Sequence, residues 1–537
     1  MITEPKISSS KPVGQTGPSY NKANNNKANK SPTHPVGGLV WLGRLAGLLV
    51  AVGLAVYNLG YSPAPWFDEG EHLRVAKTLV QYGQYAVWSA DGFRYFGPTI
   101  GVGPTLLLPV ALVFKLVGVG LVQARLVILL YLAGAALLYW FYARKLEGSG
   151  PVAWLALLLL LAAPGIAFIN LGRQGLGEIP ASAFFLAGLL VWLVNSERAR
   201  PTWPGWTAAG AFFGLAAITK SNYGLLLPPA LALAWLLNRF YYRQARLKWT
   251  AFALPFALTA GGLGGWYLVI LLFLGGSDFA TNFQLLRNAS GGSAFVFSLE
   301  RMTSAWKFFL GPQALFGLAA PGLIYAIWRA RQRTAASFRL VLPLTFCLVW
   351  FGWFLGASVA WPRYAFPALL LCPIFTVKLL LDLPGLASAW LKRPSWQPKM
   401  QLITGLLLAG LIAGGLISQV PETLKVDDSA QQLAAYLDQQ VDRQATIETW
   451  ESELGFLTGH RYHYPPPEIL DKAVRLKWLG GTGPSLAGVY QPEKLTPDYL
   501  IEGQFGRWNE LYPAQLLNSR YRLIITFGDY KLYKRIG

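Results

Sequence analysis

The feature that most constrains this sequence is a succession of separate apolar blocks, most of them about 17 to 25 residues long. A helix of about 20 apolar residues crosses a hydrocarbon core roughly 30 Å thick. Only 13% of the 537 residues are charged, whereas a soluble domain has roughly 25%. Because so few charges cannot coat a soluble globule of this size, the sequence predicts a mainly α, polytopic membrane protein.

Eleven of these blocks are predicted to cross the membrane. They are Leu39–Leu59, Leu121–Tyr142, Val152–Ile169, Ile179–Val194, Trp206–Thr219, Tyr223–Leu237, Thr250–Leu274, Trp306–Trp328, Leu340–Ala357, Ala365–Leu383 and Leu402–Gln419. A twelfth stretch, Ile100–Val117, contains Pro104, Pro109 and Lys115 and is bounded by glycines. Whether it crosses decides the sidedness of everything after it.

The distribution of basic residues argues that Ile100–Val117 does not cross, because Lys and Arg in short loops resist translocation. In that case 20 basic residues and only three acids fall on one face. The segments on this face are the amino-terminal tail, Ala143–Gly150, Asn195–Gly205, Arg239–Trp249, Arg329–Arg339 and Pro384–Met400. We therefore expect Ile100–Val117 to be an interfacial or re-entrant helix on the outer face. The amino terminus then lies inside and the carboxyl terminus outside.

The net charge of +20 is not taken as a sign of nucleic-acid binding, because the cations cluster between the apolar blocks. Residues 1–38 are polar and lack the apolar core of a signal peptide, so we interpret them as a disordered cytoplasmic tail. The two cysteines, Cys347 and Cys372, both lie in apolar segments and imply no disulfide scaffold. Residues 39–420 form the predicted transmembrane domain.

From Pro421 the composition becomes that of a soluble domain, with 13 basic and 15 acidic residues among 117. Ser429 and Gln432 resemble a capping box that begins a helix ending near Val441. Strand-like runs follow, and the last two flank Gly528-Asp529 as a hairpin. These runs are Ala445–Trp450, Tyr499–Glu502, Tyr521–Phe527 and Tyr530–Tyr533. Residues 421–537 are therefore predicted to form a small extracytoplasmic α/β domain.

Candidate acids lie in the predicted outer loops. Asp68 follows Trp66-Phe67, and partial desolvation there is expected to raise its pKa and improve it as a proton acceptor. Asp68 could equally cap an ordinary solvated helix. Glu178 is the one acid of its loop, and a charge at the membrane boundary usually has a partner or a task. It could also simply suit the positive end of a helix dipole.

Two isolated cations on the same outer face, Lys220 and Arg363, break the positive-inside pattern. Cations placed beside acids indicate an anionic ligand, and phosphate is the obvious candidate. The alternative is that they pair with Asp68, Glu69 or Glu178. His460 and His463 have metal-like spacing, but no third ligand accompanies them, so a metal site there is not predicted.

A series of short motifs resembles the ordered landmarks of the GT-C membrane glycosyltransferases. The likeness is to the branch that contains protein O-mannosyltransferases and the aminoarabinose transferase of lipid A, and it covers about Leu39 to Leu383. The motifs are Trp66-Phe67-Asp68-Glu69, Gly92-Phe93-Arg94-Tyr95-Phe96-Gly97-Pro98, Arg125-Leu126, Glu178-Ile179-Pro180, Gly214-Leu215-Ala216-Ala217-Ile218-Thr219-Lys220 and Arg363-Tyr364.

The resemblance implies an enzyme of the lipid bilayer that takes a polyprenyl-phosphate-linked sugar as donor and an extracytoplasmic glycan, lipid or protein as acceptor. It implies catalytic roles for Asp68, Glu69 and Glu178, with Asp68 as general base. The donor phosphate is expected at a set of basic and aromatic residues: Lys220, Arg363, Tyr364, Arg94 and Tyr95.

The one cofactor that the resemblance leaves open is a divalent metal ion at Asp68 and Glu178, where relatives usually carry aspartate at the second position. Relatives of the aminoarabinose branch often have an acid and a lysine where Gly97-Pro98 stand here. This departure argues against copying the acceptor or metal chemistry of that branch. A polyprenyl-phosphate leaving group, nearby cations and a base on the opposite face predict inversion at the anomeric carbon.

Two other functions remain open at this point. A transporter or flippase of lipid-linked glycans would need ionisable residues along a mid-membrane pathway, whereas here the acids lie at loop edges. A non-catalytic scaffold that presents the outer domain would be unaffected by Asp68→Asn.

Overall fold

The structure, a computed structural model, describes residues 36–97, 101–286, 295–478 and 485–536. Residues Arg44–Gly537 form one compact unit. The predicted disordered tail lies outside the described residues except for its last three positions, and it stays a prediction.

Where the structure describes residues 36–424, the regular elements are helices and one hairpin. The helices are α1 (Val36–Val56), α2 (Phe67–Tyr82), α3 (Pro104–Val117), α4 (Leu121–Glu147), α5 (Gly150–Ala162), α6 (Phe168–Leu171), α7 (Glu178–Glu197), α8 (Trp203–Thr219), α9 (Ser221–Leu237), α10 (Thr250–Leu274), α11 (Gly276–Leu286), α12 (Leu299–Leu310), α13 (Ala319–Ala330), α14 (Ala335–Phe338), α15 (Val341–Ala357), α16 (Pro362–Leu369), α17 (Cys372–Trp390), α18 (Gln397–Ser418) and α19 (Val420–Leu424). The hairpin joins β1 (Ala86–Ser89) and β2 (Gly92–Tyr95).

Six segments of the described chain are long and apolar enough to cross a membrane, by length and composition. They are Leu121–Glu147, Glu178–Glu197, Thr250–Leu274, Ala335–Ala357, Cys372–Trp390 and Pro394–Gln440. Shorter apolar helices accompany them. The multi-pass character is therefore confirmed, while the count of eleven crossings stays a prediction. At 14 residues, α3 is about 21 Å long, too short to span roughly 30 Å of hydrocarbon.

Three predicted spans have the wrong bounds. Val152–Ile169 ends as a helix at Ala162, because the residue before Pro164 is disfavoured in the α conformation. Trp306–Trp328 is two helices, α12 and α13, separated by a turn in which Leu315 and Phe316 have positive φ angles. Ala365–Leu383 is likewise divided into α16 and α17, and Pro373 begins the second of these helices.

Ion pairs join several of the basic loops to one another. Arg329 lies 2.8 Å from Glu147, and Lys145 and Arg339 each lie 2.6 Å from Glu197. The loops that follow α4, α7 and α13 therefore meet at one face of the helix bundle.

The carboxyl-terminal segment folds around a five-stranded sheet of order β4-β3-β5-β7-β6. Its strands are β3 (Thr446–Thr449), β4 (Arg461–His463), β5 (Tyr499–Glu502), β6 (Tyr521–Phe527) and β7 (Tyr530–Arg535). The first three strands are parallel, and β7 is antiparallel to both neighbours. Its helices are α20 (Ser429–Gln440), α21 (Ser452–Leu457), α22 (Pro467–Ala473), α23 (Leu486–Val489), α24 (Gln504–Trp508) and α25 (Ala514–Arg520).

The predicted helix and strands of this segment are found, whereas strand β4 and helices α21 to α25 were not predicted. The two-residue hairpin at Gly528-Asp529 is confirmed. The predicted capping box is wrong: Asp428 rather than Ser429 is the N-cap residue of α20, its side chain accepts no backbone N–H of the first turn, and Gln432 instead donates to its carboxylate at 2.8 Å. Strand β4 was not predicted, because three residues before a run of prolines give too short a pattern.

The described part of residues 425–536, which contains this sheet and is called the sheet segment, packs directly on α2. Gly70 makes the approach possible, because a Cβ at this position would lie 2.3 Å from the backbone nitrogen of Glu453. Lys77 donates to the carbonyls of Gly455 and Phe456 at 3.0 and 2.9 Å. The first outer-loop helix is therefore held between the helix bundle and the sheet.

Candidate active site

Helix α2 places two polar side chains on one face. Trp66 is its extended N-cap residue, so Asp68 lies in the first turn, where the helix dipole favours a negative charge. His72 follows four residues later and therefore lies on the same side of the helix. His72 was not among the predicted site residues, although its spacing of four residues from Asp68 would have indicated it.

Arg363 forms an ion pair with Asp68. Arg363 is delivered by the start of α16, and its guanidinium lies 5.1 Å from the centre of the Trp361 ring and 5.7 Å from that of Trp66. The side chains of Asp68 and Arg363 are 26% and 23% exposed, so the pair remains open to a ligand. Tyr364 lies beside it, with its ring 5.6 Å from the guanidinium.

Lys220 and Glu178 form a second pair. Glu178 begins α7, Lys220 links α8 to α9, and the ammonium nitrogen lies 2.8 Å from a carboxylate oxygen. The start of α3 supports this junction, because Gly103 donates its N–H to the Thr219 carbonyl at 3.2 Å. The hydroxyls of Thr105 and Thr219 are 2.6 Å apart. The amino-terminal end of α3, the predicted interfacial helix, therefore packs against the site and supports it.

The two pairs belong to one electrostatic site. Lys220 is close enough to Asp68 and His72 to interact with both, and Arg363 is close enough to interact with Glu178. Nδ1 of His72 lies 2.9 Å from the Gly175 carbonyl oxygen. Since a carbonyl only accepts, Nδ1 carries the proton, and the neutral ring has a free lone pair at Nε2.

The pKa of Asp68 shifts in the direction opposite to the prediction. Burial raises it, as expected, but the charge and hydrogen bond of Arg363, together with the charge of Lys220, outweigh burial, so the net pKa is lowered. Asp68 is therefore ionised at neutral pH. For His72, burial is the largest effect and lowers the pKa, so the imidazole is neutral.

The predicted catalytic role of Glu69 does not fit the structure. Its carboxylate receives Nε and a terminal nitrogen of Arg125 at 3.0 and 2.6 Å, and the N–H of Gly175 at 2.7 Å. Both members of the pair are completely buried. Glu69 therefore holds α2 to α4 through Arg125.

Arg94 and Tyr95 are not brought to the site, contrary to the prediction. Arg94 donates to Asp91 at 2.9 Å and to the carbonyls of Tyr464 and Pro465 at 2.7 and 2.8 Å. The Tyr95 hydroxyl donates to Gln84. Arg94 therefore holds the hairpin to the sheet segment, whereas the ring of Tyr95 packs against Phe273 of α10, with the ring centres 5.1 Å apart.

The predicted metal ligands do not form a metal-binding group. Asp68 and Glu178 each already have a cationic partner, which a divalent ion would have to displace. Among residues 36–97, 101–286, 295–478 and 485–536, no group of three or more His, Cys, Asp or Glu side chains is placed to hold a metal. His460 instead lies 3.3 Å from Asp438, and His463 lies 2.6 Å from Glu448.

By sequence, part of the chain matches a known protein family and one relative. Residues 102–273 match the family of dolichyl-phosphate-mannose-protein mannosyltransferases. An uncharacterized protein of Aquifex aeolicus (strain VF5) is 26% identical over 343 residues, which are 62% of this chain. The chain spans 63% of the length of that relative.

Comparison by structure extends over almost the whole chain. ArnT from Cupriavidus metallidurans bound to undecaprenyl phosphate is similar with a TM-score of 0.62 at 16% identity, covering 93% of this chain and 98% of ArnT. The Archaeoglobus fulgidus oligosaccharyltransferase tethered with an acceptor peptide gives 0.58 at 14% identity, covering 93% of this chain and 74% of that one. The same archaeal enzyme, AglB, in complex with an inhibitory peptide and a dolichol-phosphate gives 0.58 at 13% identity, covering 92% and 74%.

At these identities the structural likeness shows a shared fold. Together with the family match, it confirms the predicted resemblance to GT-C membrane glycosyltransferases. It also confirms the fold class, a polytopic α-helical protein with a small α/β domain at its carboxyl end.

Proposed function

We propose that this chain, which has the GT-C membrane glycosyltransferase fold, transfers a sugar from a polyprenyl-phosphate-linked donor to an extracytoplasmic acceptor with inversion. The supporting observation is the meeting of Asp68, His72, Glu178, Lys220 and Arg363 in one site. These residues come from four separate parts of the chain. Their convergence supplies an ionised base and two cations side by side, as sugar transfer from a lipid phosphate requires.

In the proposed reaction, an acceptor oxygen bonds to the anomeric carbon while the bond between that carbon and the donor phosphate oxygen breaks. The electron pair of the broken bond leaves with the polyprenyl phosphate. Asp68 takes the proton of the acceptor hydroxyl, and attack from the face opposite the phosphate inverts the anomeric centre. Lys220 and Arg363 stabilise the departing phosphate because their charges are already in place.

Arg363 has a second role in this scheme. Arg363 pairs with Asp68 and holds the pKa of that carboxyl low. A donor phosphate competes for the same guanidinium, so donor binding weakens the pairing and makes Asp68 a stronger base. The base is thereby activated when the donor is present. No step of the scheme uses a metal ion, because the carboxylates that would hold one are paired with cations.

We further propose that the site faces outward from a prokaryotic cytoplasmic membrane, with the amino terminus inside and residues 421–537 outside. The ion pairs that join the loops after α4, α7 and α13 support a common inner face for the basic loops. A tag inserted at Gly148 and probed with a membrane-impermeant reagent tests this orientation. Labelling in intact cells would overturn it.

The enzymatic proposal is tested by transfer of a labelled sugar from undecaprenyl-phosphate donors to the membrane and protein fractions of the host. We expect Asp68→Asn to lower kcat by about 10²-fold or more, because it removes the general base. Asp91→Asn is the matched control: it is an acid of the same outer loop, paired with Arg94, outside the site. Equal rates for wild type and Asp68→Asn would remove Asp68 from the mechanism, and no transfer by wild type from any such donor would reject the function.

A further inference from the structure

A second cavity lies beside the proposed catalytic site, between the start of α2 and the sheet segment. Its volume is about 730 Å³, within the range of about 300 to 1,000 Å³ typical of small-molecule sites. One wall is formed by Ala64–Phe67, which ends directly before Asp68. The opposite wall comes from four separate parts of residues 427–530. A molecule in this cavity would therefore lie beside the chain segment that leads into the proposed base, although Asp68 itself does not line the cavity.

The cavity is lined with hydrogen-bond acceptors rather than cations. Asp427, Glu451, Glu453 and Asp529 contribute carboxyl groups, and the one cation in the lining, Arg507, is paired with Asp529 at 2.7 Å. Phosphate and carboxylate groups are therefore disfavoured here. The lining instead suits a ligand that carries hydroxyl or amino groups, which donate to carboxyl oxygens.

Glu453 is the clearest sign that the cavity takes a ligand. The residue is only 2% exposed, and one carboxyl oxygen accepts from the Tyr530 hydroxyl at 2.7 Å. The other oxygen, Oε2, is buried and has no hydrogen-bond partner within the described part of the chain. A buried acceptor without a partner is costly, so a donor group from a ligand would be stabilising.

The neighbouring Glu451 shows the contrast. Its carboxyl group accepts the backbone N–H groups of Gly503, Phe505 and Gly506 at 2.8 to 3.2 Å. Glu451 therefore organises the loop before α24, whereas Glu453 keeps unused acceptor capacity.

Aromatic rings complete the lining. Phe67 stacks on Phe505 with the ring centres 3.8 Å apart, and Trp66, Trp508 and Tyr530 also face the cavity. An apolar ring beside hydrogen-bonding carboxyls matches a sugar, whose C–H face packs on a ring while its hydroxyls donate at the edge.

We propose that this cavity binds the saccharide portion of the acceptor, an uncharged or amino sugar without phosphate or carboxylate groups. Glu453 hydrogen-bonds to its hydroxyl or amino groups through the carboxyl oxygen that has no partner, and the aromatic residues pack against its ring. The proposal rests on the glycosyltransferase function and names the acceptor class for it. Trp508 is a binding residue here and Asp68 remains the catalytic one.

The test is a glycan array probed with the purified full-length protein in detergent. The array carries neutral, amino, phosphorylated and carboxylated glycans, and a peptide array is probed in parallel. The test variants are Glu453→Leu, which removes both carboxyl oxygens, and Trp508→Ala. Matched controls are Glu510→Leu, an exposed acid paired with Lys477, and Trp203→Ala, an exposed tryptophan at the start of α8. Thermal unfolding confirms that each variant is folded.

We expect neutral or amino glycans to be retained and both cavity variants to bind them at least about tenfold more weakly, while the controls bind as wild type does. Three results would overturn the proposal: no cavity-dependent glycan binding, a preference for phosphorylated or carboxylated glycans, or cavity-dependent binding of peptides only. The transfer assay separates the two hypotheses. Transfer without cavity-dependent glycan binding rejects this site alone, whereas cavity-dependent binding without any transfer rejects the enzymatic function.

Discussion

Asp68 and Glu69 are neighbours in sequence, yet their removal should have opposite consequences. Glu69 is part of a completely buried ion pair with Arg125, which also donates to the Leu59 carbonyl at 2.8 Å. Glu69→Gln leaves Arg125 as a buried charge without its counter-charge. Breaking such a pair typically costs about 3–5 kcal/mol. Asp68 is partly exposed, so Asp68→Asn should change stability little.

The size of the effect on melting temperature follows from the size of the unit. With an unfolding entropy of about 2 cal/mol/K per residue, roughly 500 residues give about 1 kcal/mol/K, so the loss corresponds to a fall in Tm of about 3–5 °C. The assay is thermal unfolding of detergent-purified variants together with the transfer rate. We expect Glu69→Gln to lower Tm and to keep kcat per folded molecule within about threefold.

A double-mutant cycle makes the test specific. If the pair is structural, Glu69→Leu combined with Arg125→Met should cost less than the sum of the two single changes, because no unpaired charge remains. The reasoning is refuted if Glu69→Gln has the Tm of wild type but loses transfer as completely as Asp68→Asn. Glu69 would then be a catalytic acid rather than a fastening between α2 and α4.

Three further predictions concern the site and the cavity beside it. Lys220→Ala and Arg363→Ala should each raise the donor KM by about tenfold or more and change the acceptor KM little. The reason is that charge-assisted hydrogen bonds to phosphate contribute about 1.5–3 kcal/mol each. Steady-state kinetics measure both constants, and a larger change in the acceptor KM would contradict the assignment. His72→Phe should lower kcat per folded molecule by about tenfold or more, because the neutral ring lies on the same face of α2 as the base; unchanged kcat would remove His72 from the site. Burial raises the pKa of Glu453 to about 8 and that of Glu451 to about 7, from an ordinary value of 4.5. The folded state therefore holds more protons than the unfolded state between about pH 4.5 and 8, so the free energy of unfolding should fall as pH rises through this window; Glu453→Gln should flatten that fall in pH-dependent unfolding, and an unchanged slope would show that Glu453 does not titrate there.

Much of the fold was predictable because its main signal is local. Apolar length predicted most of the long helices, and the bounds of Thr250–Leu274 agree with α10 at both ends. The errors occur where a local backbone event interrupts an apolar run. At Leu315 and Phe316 two positive φ angles divide one apolar block into two helices, and hydropathy does not report such a turn.

The site was predictable only in part, because its geometry depends on packing between distant segments. Lys220 and Arg363 could be predicted because they are basic residues in outer loops, against the positive-inside pattern. The structure places both beside predicted acids. The order of the motifs could not show whether Asp68 or Glu69 is available for catalysis. That depends on the position of Arg125 in the fold, which buries Glu69 in an ion pair. The direction of the Asp68 pKa shift was wrong for the same reason, since its partner lies 295 positions away.

The proposed reaction requires that Lys220 and Arg363 together bind the phosphate of a polyprenyl phosphate. The affinity of the purified protein for undecaprenyl phosphate, measured for wild type, Lys220→Ala, Arg363→Ala and Arg94→Ala, tests it without any knowledge of the acceptor. We expect at least about tenfold weaker binding for the first two variants. Arg94→Ala should bind as wild type does, because Arg94 is engaged with the sheet segment. Equal affinities for all four proteins, or a loss confined to Arg94→Ala, would contradict the account.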